Sequence, residues 1–284
     1  MEHHGMINMI GVVYSMIDPA GTGIAQYLIE SLGRDSLSPC RYSLQCLQGE
    51  RFVIAGFQED VIYFDFLDKV MPREVDFYVV LSRHRSEARV KSYTTHATGN
   101  FTNEAAAGGH PRELGIAHPK AMWFLLRALY RIARTKPDRS LYEVSYEATH
   151  HGPTNLTKPL VFIEIGSSEE EWRDPLNYEV VGEAVFELLR TSTLDISCQP
   201  VIGIGGGHYP RKHTELALSE NVCYGHIASK HSITYFNEET LRQMVEKTHG
   251  GVVGVVVEKK GVRRELRDLI EEFAKSQRLW VRYV

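Results

Sequence analysis

No apolar run in this chain is long enough to cross a membrane, and the first residues lack the basic-then-apolar pattern of a secretory signal. A cytoplasmic protein with no membrane partner is expected. Cysteine is scarce and unpatterned. Cys40, Cys46, Cys198 and Cys223 form no C-x-x-C pair, which predicts reduced side chains and no disulfide frame. An excess of positive charge is missing too. The net charge of −4 argues against a generally basic nucleic-acid binder and leaves room only for a local basic patch. The compact zinc pattern H-E-x-x-H is absent. Gly203-Ile204-Gly205-Gly206-Gly207-His208 is no dinucleotide fingerprint, because His208 stands where the third glycine is required, and no Gly-Lys-Ser/Thr follows to make a P-loop.

What is present is an ordinary globular composition, 43% apolar and 24% charged over 284 residues, enough for a sizeable core. Apolar strands alternate with helical patterns. A strand over 9–17 leads to Asp18-Pro19, an N-cap followed by a first-turn proline, and a helix to about Leu32. Short strands are expected at 41–48, 52–57, 61–66 and 76–81, and a helix over 119–135. A helix over 168–191 should be interrupted at Pro175, and strands and helices then alternate to the C-terminus. This pattern predicts an α/β protein, a three-layer α/β/α sandwich around a mixed, largely parallel sheet. Residues 1–8 read as a leader and 9–284 as one domain, with 85–115 as an excursion from the core.

The chemistry lies in the histidines, 13 in all. His84, His96, the pair His150-His151 and His208 stand at strand ends or in adjoining loops, where an open α/β sheet places its reactive groups. Imidazoles converging with a carboxylate suit Zn²⁺ or a general base. Glu164, inside Leu-Val-Phe-Ile-Glu-Ile, is costly to bury without a partner. A structural Arg or Lys would serve it as well as a histidine. The glycines before His208 let a ligand approach the backbone closely, or they simply make a tight strand-to-helix turn. Basic residues cluster beside that loop (Arg211, Lys212), along the helix at 119–135 and near 259–267. They are either solvated helix faces or a track for phosphates.

Five stretches carry a resemblance: Asp18-Pro19-Ala20-Gly21, Leu81-Ser82-Arg83-His84-Arg85-Ser86, Thr95-His96-Ala97-Thr98-Gly99-Asn100, His150-His151-Gly152-Pro153-Thr154 and Gly203-Ile204-Gly205-Gly206-Gly207-His208-Tyr209. With these, the chain resembles the archaeal and plant type of D-aminoacyl-tRNA deacylase. The resemblance implies a phosphorylase/hydrolase-like sandwich, zinc as cofactor, tRNA as partner and hydrolysis of the ester between a D-amino acid and tRNA. In that chemistry His84, His96 and His208 are the expected metal ligands. His151 is the expected general base, oriented by Glu147 or Glu164, and His150 stands as a second catalytic residue or a ligand. Thr154, Lys158, Arg211, Lys212 and the backbone of Gly206 and Gly207 are expected to bind substrate, and the protein to act as a monomer. A zinc peptidase or amidohydrolase on the same fold, or a non-enzymatic RNA-binding protein, are the alternatives. The basic clusters speak against the first, and the histidines with Glu164 against the second.

Overall fold

A computed structural model of the chain describes residues 9–284 except 192 and 195; the expected leader lies outside the described residues. The first strand, β1 (Ile10–Ser15), is buried along its whole length. Asp18 then caps α1 (Pro19–Leu32), its Oδ1 accepting from the Ala20 and Gly21 amides at 2.9 and 3.2 Å. Its Oδ2 accepts from the Arg83 amide at 2.9 Å, which ties this helix start to the strand that carries His84. The chain continues through β2 (Ser38–Pro39), β3 (Gln45–Gln48), β4 (Phe52–Phe57), α2 (Leu67–Val70), β5 (Phe77–Arg85) and β6 (Ser92–His96). Then come α3 (Pro119–Ala133), β7 (Glu143–Tyr146), β8 (Leu160–Ser167), α4 (Glu169–Trp172) and α5 (Pro175–Arg190). The last part holds β9 (Gln199–Ile204), α6 (Arg211–Ser219), β10 (Val222–Ala228), α7 (Glu238–Glu246), β11 (Gly254–Val257), α8 (Arg264–Ser276) and β12 (Trp280–Tyr283).

The fold is α/β with a large, mixed, mostly parallel sheet, as expected. Its eight strands run in the order β2-β3-β4-β1-β5-β8-β6-β7. β3 is antiparallel to both its neighbours, and β6 is antiparallel to β8. The other four strands at the C-terminus form a second sheet, β10-β9-β11-β12, that is parallel throughout. One face of the large sheet packs Val79, Leu81, Ile163 and Ile165 against α1, α3 and α5. The opposite face packs Val80, Tyr78 and Phe162 against the chain around Phe64 and Leu67. Burying each such side chain contributes about 1.5–3 kcal/mol.

Three expectations are revised here. Residues 61–66 form a 3₁₀ turn (Val61–Tyr63) and a loop, not a strand. The stretch 85–115 contributes β6 to the inside of the sheet, so only 86–91 and the chain after His96 leave the strands. The cysteines pair as Cys40–Cys46 and Cys198–Cys223. Pairing of β2 with β3 brings the first two opposite one another, with the Cys40 amide on the Cys46 carbonyl at 3.0 Å. The second pair follows from β9 and β10, whose register sets Pro200 against Cys223. Linear spacing carries no trace of either pairing. Cysteine usage therefore gives no argument about compartment. Among the described residues, no helix is long and apolar enough to cross a membrane.

Candidate functional site

Four adjacent strands, β5-β8-β6-β7, build the site. Side chains alternate faces along a strand with a period of two. Glu164 on β8 lies opposite Ser82 of β5 and Thr94 of β6, and Thr94 lies opposite Ser145 of β7. Two residues further on, His84, His96 and Glu147 point to the same face. Because β6 runs against β8, His84 and His96 approach Glu164 from opposite ends of its strand. The residues at these strand ends thus gather on one sheet face. His208 arrives from the second sheet. Its carbonyl accepts from the Ala148 amide at 2.8 Å, and the Thr149 amide donates to the Ile227 carbonyl at 2.8 Å, so the two sheets are stitched together at the site.

Glu147 and Glu164 are both 2% exposed. Their charged partners among the described residues are histidines, not an Arg or Lys. His84 Nδ1 lies 3.1 Å from Glu147 and 3.4 Å from Glu164. His96 Nε2 lies 3.6 Å from Glu164, and His208 Nε2 lies 2.6 Å from Glu147. His150 joins through Nε2, 3.6 Å from Glu147. Ring contacts link all five imidazoles, from His84–His208 at 5.5 Å through His208–His150 at 4.8 Å to His96–His150 and His150–His151 at 4.3 Å. His150 and His208, at 32% and 44% of their side chains, and the half-buried His151 mark the mouth.

The backbone decides which nitrogens are free. His96, His150 and His151 each set Nδ1 on a carbonyl, of Ala97 at 3.1 Å, Ala148 at 3.0 Å and Gly152 at 2.7 Å. A carbonyl can only accept, so each Nδ1 carries a proton, and in the neutral ring each Nε2 keeps its lone pair. The three rings offer one ligand atom each within 4.8 Å of one another. A second grouping joins His84, Glu147 and His208, and a third joins His96, Glu147 and Glu164. The geometry therefore divides the expected trio of His84, His96 and His208 between two groupings. His151 stands in the left-handed region at φ 44°, a conformation that costs a non-glycine residue about 1 kcal/mol or more and that here turns the ring onto His96. A side chain on the next residue, Gly152, would strike the backbone of Gly108, Gly109 and Ile62, so only glycine fits there.

Burial alone would push the His84 imidazole down; Glu147 and Glu164 outweigh it and hold its pKa up at about 11. His96 is raised in the same way, with Glu164 overcoming burial. Burial, reinforced by the neighbouring imidazoles, drives His150 well below its usual value and His151 down to about 4. Burial would raise both carboxylates, but the histidines around them hold both below the usual range, Glu147 the more strongly. Neither Glu147 oxygen, nor His96 Nε2, receives a hydrogen bond of acceptable direction despite these short distances. Both Glu147 oxygens and His96 Nε2 thus lie near other donor atoms without a hydrogen-bond partner of their own. That arrangement fits a divalent cation.

The other expected residues fall in different places. Thr154 is fully buried, donating to Glu113 Oε2 at 2.6 Å and accepting from the His110 amide at 2.9 Å, so its hydroxyl holds the loop together and does not face the mouth. Lys158 donates to the Pro72 and Arg73 carbonyls at 3.2 and 2.8 Å, at the edge where β8 begins and away from His84. Arg211 and Lys212 are exposed at the start of α6, three and four residues past His208. Gly205 and Gly206 adopt φ of 97° and 86°. The Gly206 and Gly207 amides donate in no backbone hydrogen bond among the described residues. Sequence reasoning passed over Tyr209, whose hydroxyl meets His84 Nε2 at 2.7 Å. Its place directly after His208 was the available signal.

A family model described as D-aminoacyl-tRNA deacylase matches residues 71–282, a span that contains every member of the cluster. The chain belongs to this family. A D-aminoacyl-tRNA deacylase from Desulfurococcus amylolyticus is 55% identical over 276 residues, 97% of this chain and 100% of that protein. One from Staphylothermus marinus is 48% identical over 278 residues, 98% of this chain and 100% of that protein. Among solved structures, a conserved protein of unknown function, AF0625, superposes with a TM-score of 0.86 at 29% identity, covering 100% of this chain and 96% of that one. The deacylase family thus spans both sheets, and with them both halves of the histidine cluster.

Proposed function

We propose that this chain hydrolyses the ester joining a D-amino acid to the 3′ end of tRNA, releasing the D-amino acid and free tRNA. Beyond family membership, one observation supports the reading. Two buried carboxylates lie among five imidazoles, of which His150, His151 and His208 reach solvent. His96, His150 and His151 would hold a zinc ion, with His84, Glu147 and His208 as further donors. When bound, zinc supplies Lewis acidity that polarises an ester carbonyl and brings the pKa of water toward 7.

The chain's own groups carry the remaining steps. His151, expected as the general base, has only Nε2 left and offers a ligand atom beside those of His96 and His150, which suits a ligand better. Glu147 is the better base. It is unprotonated, and its Oε2 accepts the water proton as the new C–O bond forms. His208 Nε2, 2.6 Å from that oxygen, relays a proton to the departing ribose oxygen as the ester C–O bond breaks. The Gly206 and Gly207 amides hold the charge that grows on the carbonyl oxygen. Arg211 and Lys212 meet the terminal phosphates. The test is hydrolysis of tRNA charged with the D and L forms of one amino acid. The D ester should be cleaved faster by a factor on the order of 10² or more, as a shape-selective pocket allows. Equal rates, or no cleavage of either, would overturn the proposal.

A further inference from the structure

The basic residues separate into two kinds once their partners are known. Five of those along the second half of α3 and just past it are committed within the fold. Arg131 meets Glu187, Lys136 meets Glu179 and Glu183, and Arg139 meets Asp174. Arg127 donates to the Ala217 and Leu218 carbonyls, and Arg134 lies on the Tyr130 ring. Others are exposed and joined to no carboxylate among the described residues, and these include a group of six: Arg211, Lys212, Lys230, Lys259, Lys260 and Arg263. In a chain of net charge −4, all six sit on one edge.

That edge is the carboxyl end of the second sheet. All its strands are parallel, so the loops after β9, β10 and β11 leave the same side. The order β10-β9-β11-β12 sends the chain from β9 to one neighbour and from β10 across to the other, which makes a switch point between β9 and β11. Open parallel sheets bind ligands in the crevice outside such a point. The loops there are locked together. The Lys230 amide donates to the Gly206 carbonyl and the Glu258 amide to the Ile204 carbonyl, both at 2.8 Å. A Cβ built on Gly261 would lie 3.9 Å from that of Lys230, and one on Gly205 would strike the Glu258 carbonyl oxygen at 2.7 Å. His208 stands on the same glycine loop, so this edge runs directly into the mouth of the histidine cluster.

We propose that the carboxyl edge of the second sheet is the docking surface for the acceptor-stem backbone of the tRNA, with Lys230, Lys259, Lys260 and Arg263 taking its phosphates. The proposal rests on the deacylase reading and names where that substrate lies. RNA leaving the cluster past His208 crosses the glycine loop, meets Arg211 and Lys212, and reaches the four outer cations.

The test uses the full chain carrying Lys230→Ala, Lys259→Ala and Lys260→Ala together. Affinity for uncharged tRNA is measured across a salt series, beside hydrolysis of D-aminoacyl-tRNA and of a D-aminoacyl ester of adenosine, which has no phosphate. Each lost phosphate contact lowers the slope of log affinity against log salt by about one, so the slope should fall by about three and low-salt affinity by about 10- to 100-fold. The adenosine ester should be cleaved within about twofold of the parent rate, since it makes no phosphate contact. A triple Lys→Arg variant should restore both slope and affinity. An unchanged slope with tRNA, or an equal loss on the adenosine ester, would overturn the docking surface. If the unmodified chain cleaves neither ester, the deacylase reading fails, while the binding measurement still decides whether this edge holds tRNA.

Discussion

Glu147 is a buried carboxylate among histidines. It is buried without a Lys or Arg partner, touches His84, His150 and His208, and still leaves both oxygens without a hydrogen bond. Replacing it with glutamine keeps the shape, removes the charge and turns one acceptor into a donor. Glu147→Gln should lower the hydrolysis rate by a factor on the order of 10²–10⁴, as expected for a lost acid–base group. The tRNA affinity should stay near normal, because Glu147 lies below the mouth and touches no phosphate. Rapid-mixing hydrolysis of pre-bound substrate separates the two constants. A variant that cleaves at the parent rate would move the base to another residue. Glu164, between His84 and His96, is the counter-anion that keeps those two rings in place.

At the scale of an element, α3 shows how a histidine can be structural. His118 is its N-cap, with Nδ1 accepting from the Ala121 amide at 3.3 Å, and His249 lies against it at 4.9 Å. An accepting Nδ1 cannot carry a proton. Burial, reinforced by the His249 charge, lowers its pKa to about 3. The unfolded chain protonates this residue near pH 6.5, whereas the folded chain does not. Its stabilisation is therefore present above about pH 6.5 and lost as the pH falls toward 3. His213 and His226, each buried and lowered to about 4, act in the same direction. The urea midpoint should accordingly fall between pH 7 and pH 5. His118→Asn keeps a capping acceptor without a titrating group, and should show a shallower fall. Identical acid limbs for parent and variant would count against the buried neutral cap.

Over the whole molecule, the site depends on how the two sheets meet. The large sheet brings His84, Glu164, His96 and Glu147 to one face, and the second sheet brings His208 and Tyr209 over them. Backbone hydrogen bonds from Ala148 and Thr149 fix that junction without any metal. A cation held here would complete the chemistry more than the fold. Dialysis against a chelator should thus abolish hydrolysis of D-aminoacyl-tRNA while far-ultraviolet circular dichroism stays unchanged, and added zinc should restore the rate. Full activity in protein shown by elemental analysis to be metal-free would reassign the imidazoles to proton transfer. Collapse of the dichroism signal would instead make the cation structural.

Local signals in the sequence were enough for the α/β class, the capped start at Asp18-Pro19, the break at Pro175 and the placing of His84 and His96 at the ends of strands. Each of these depends on short-range periodicity, capping or turn chemistry. Only tertiary structure decided that the strands divide into two sheets and that β6 runs against β8, because strand order and direction are set by contacts between residues far apart in the chain. The same long-range pairing joined Cys198 to Cys223 and separated Lys158 from the cluster. It also sorted the basic residues. A cation near a carboxylate in space reads the same in sequence as one facing water, and only the packing of α3 on α5 shows which are spoken for.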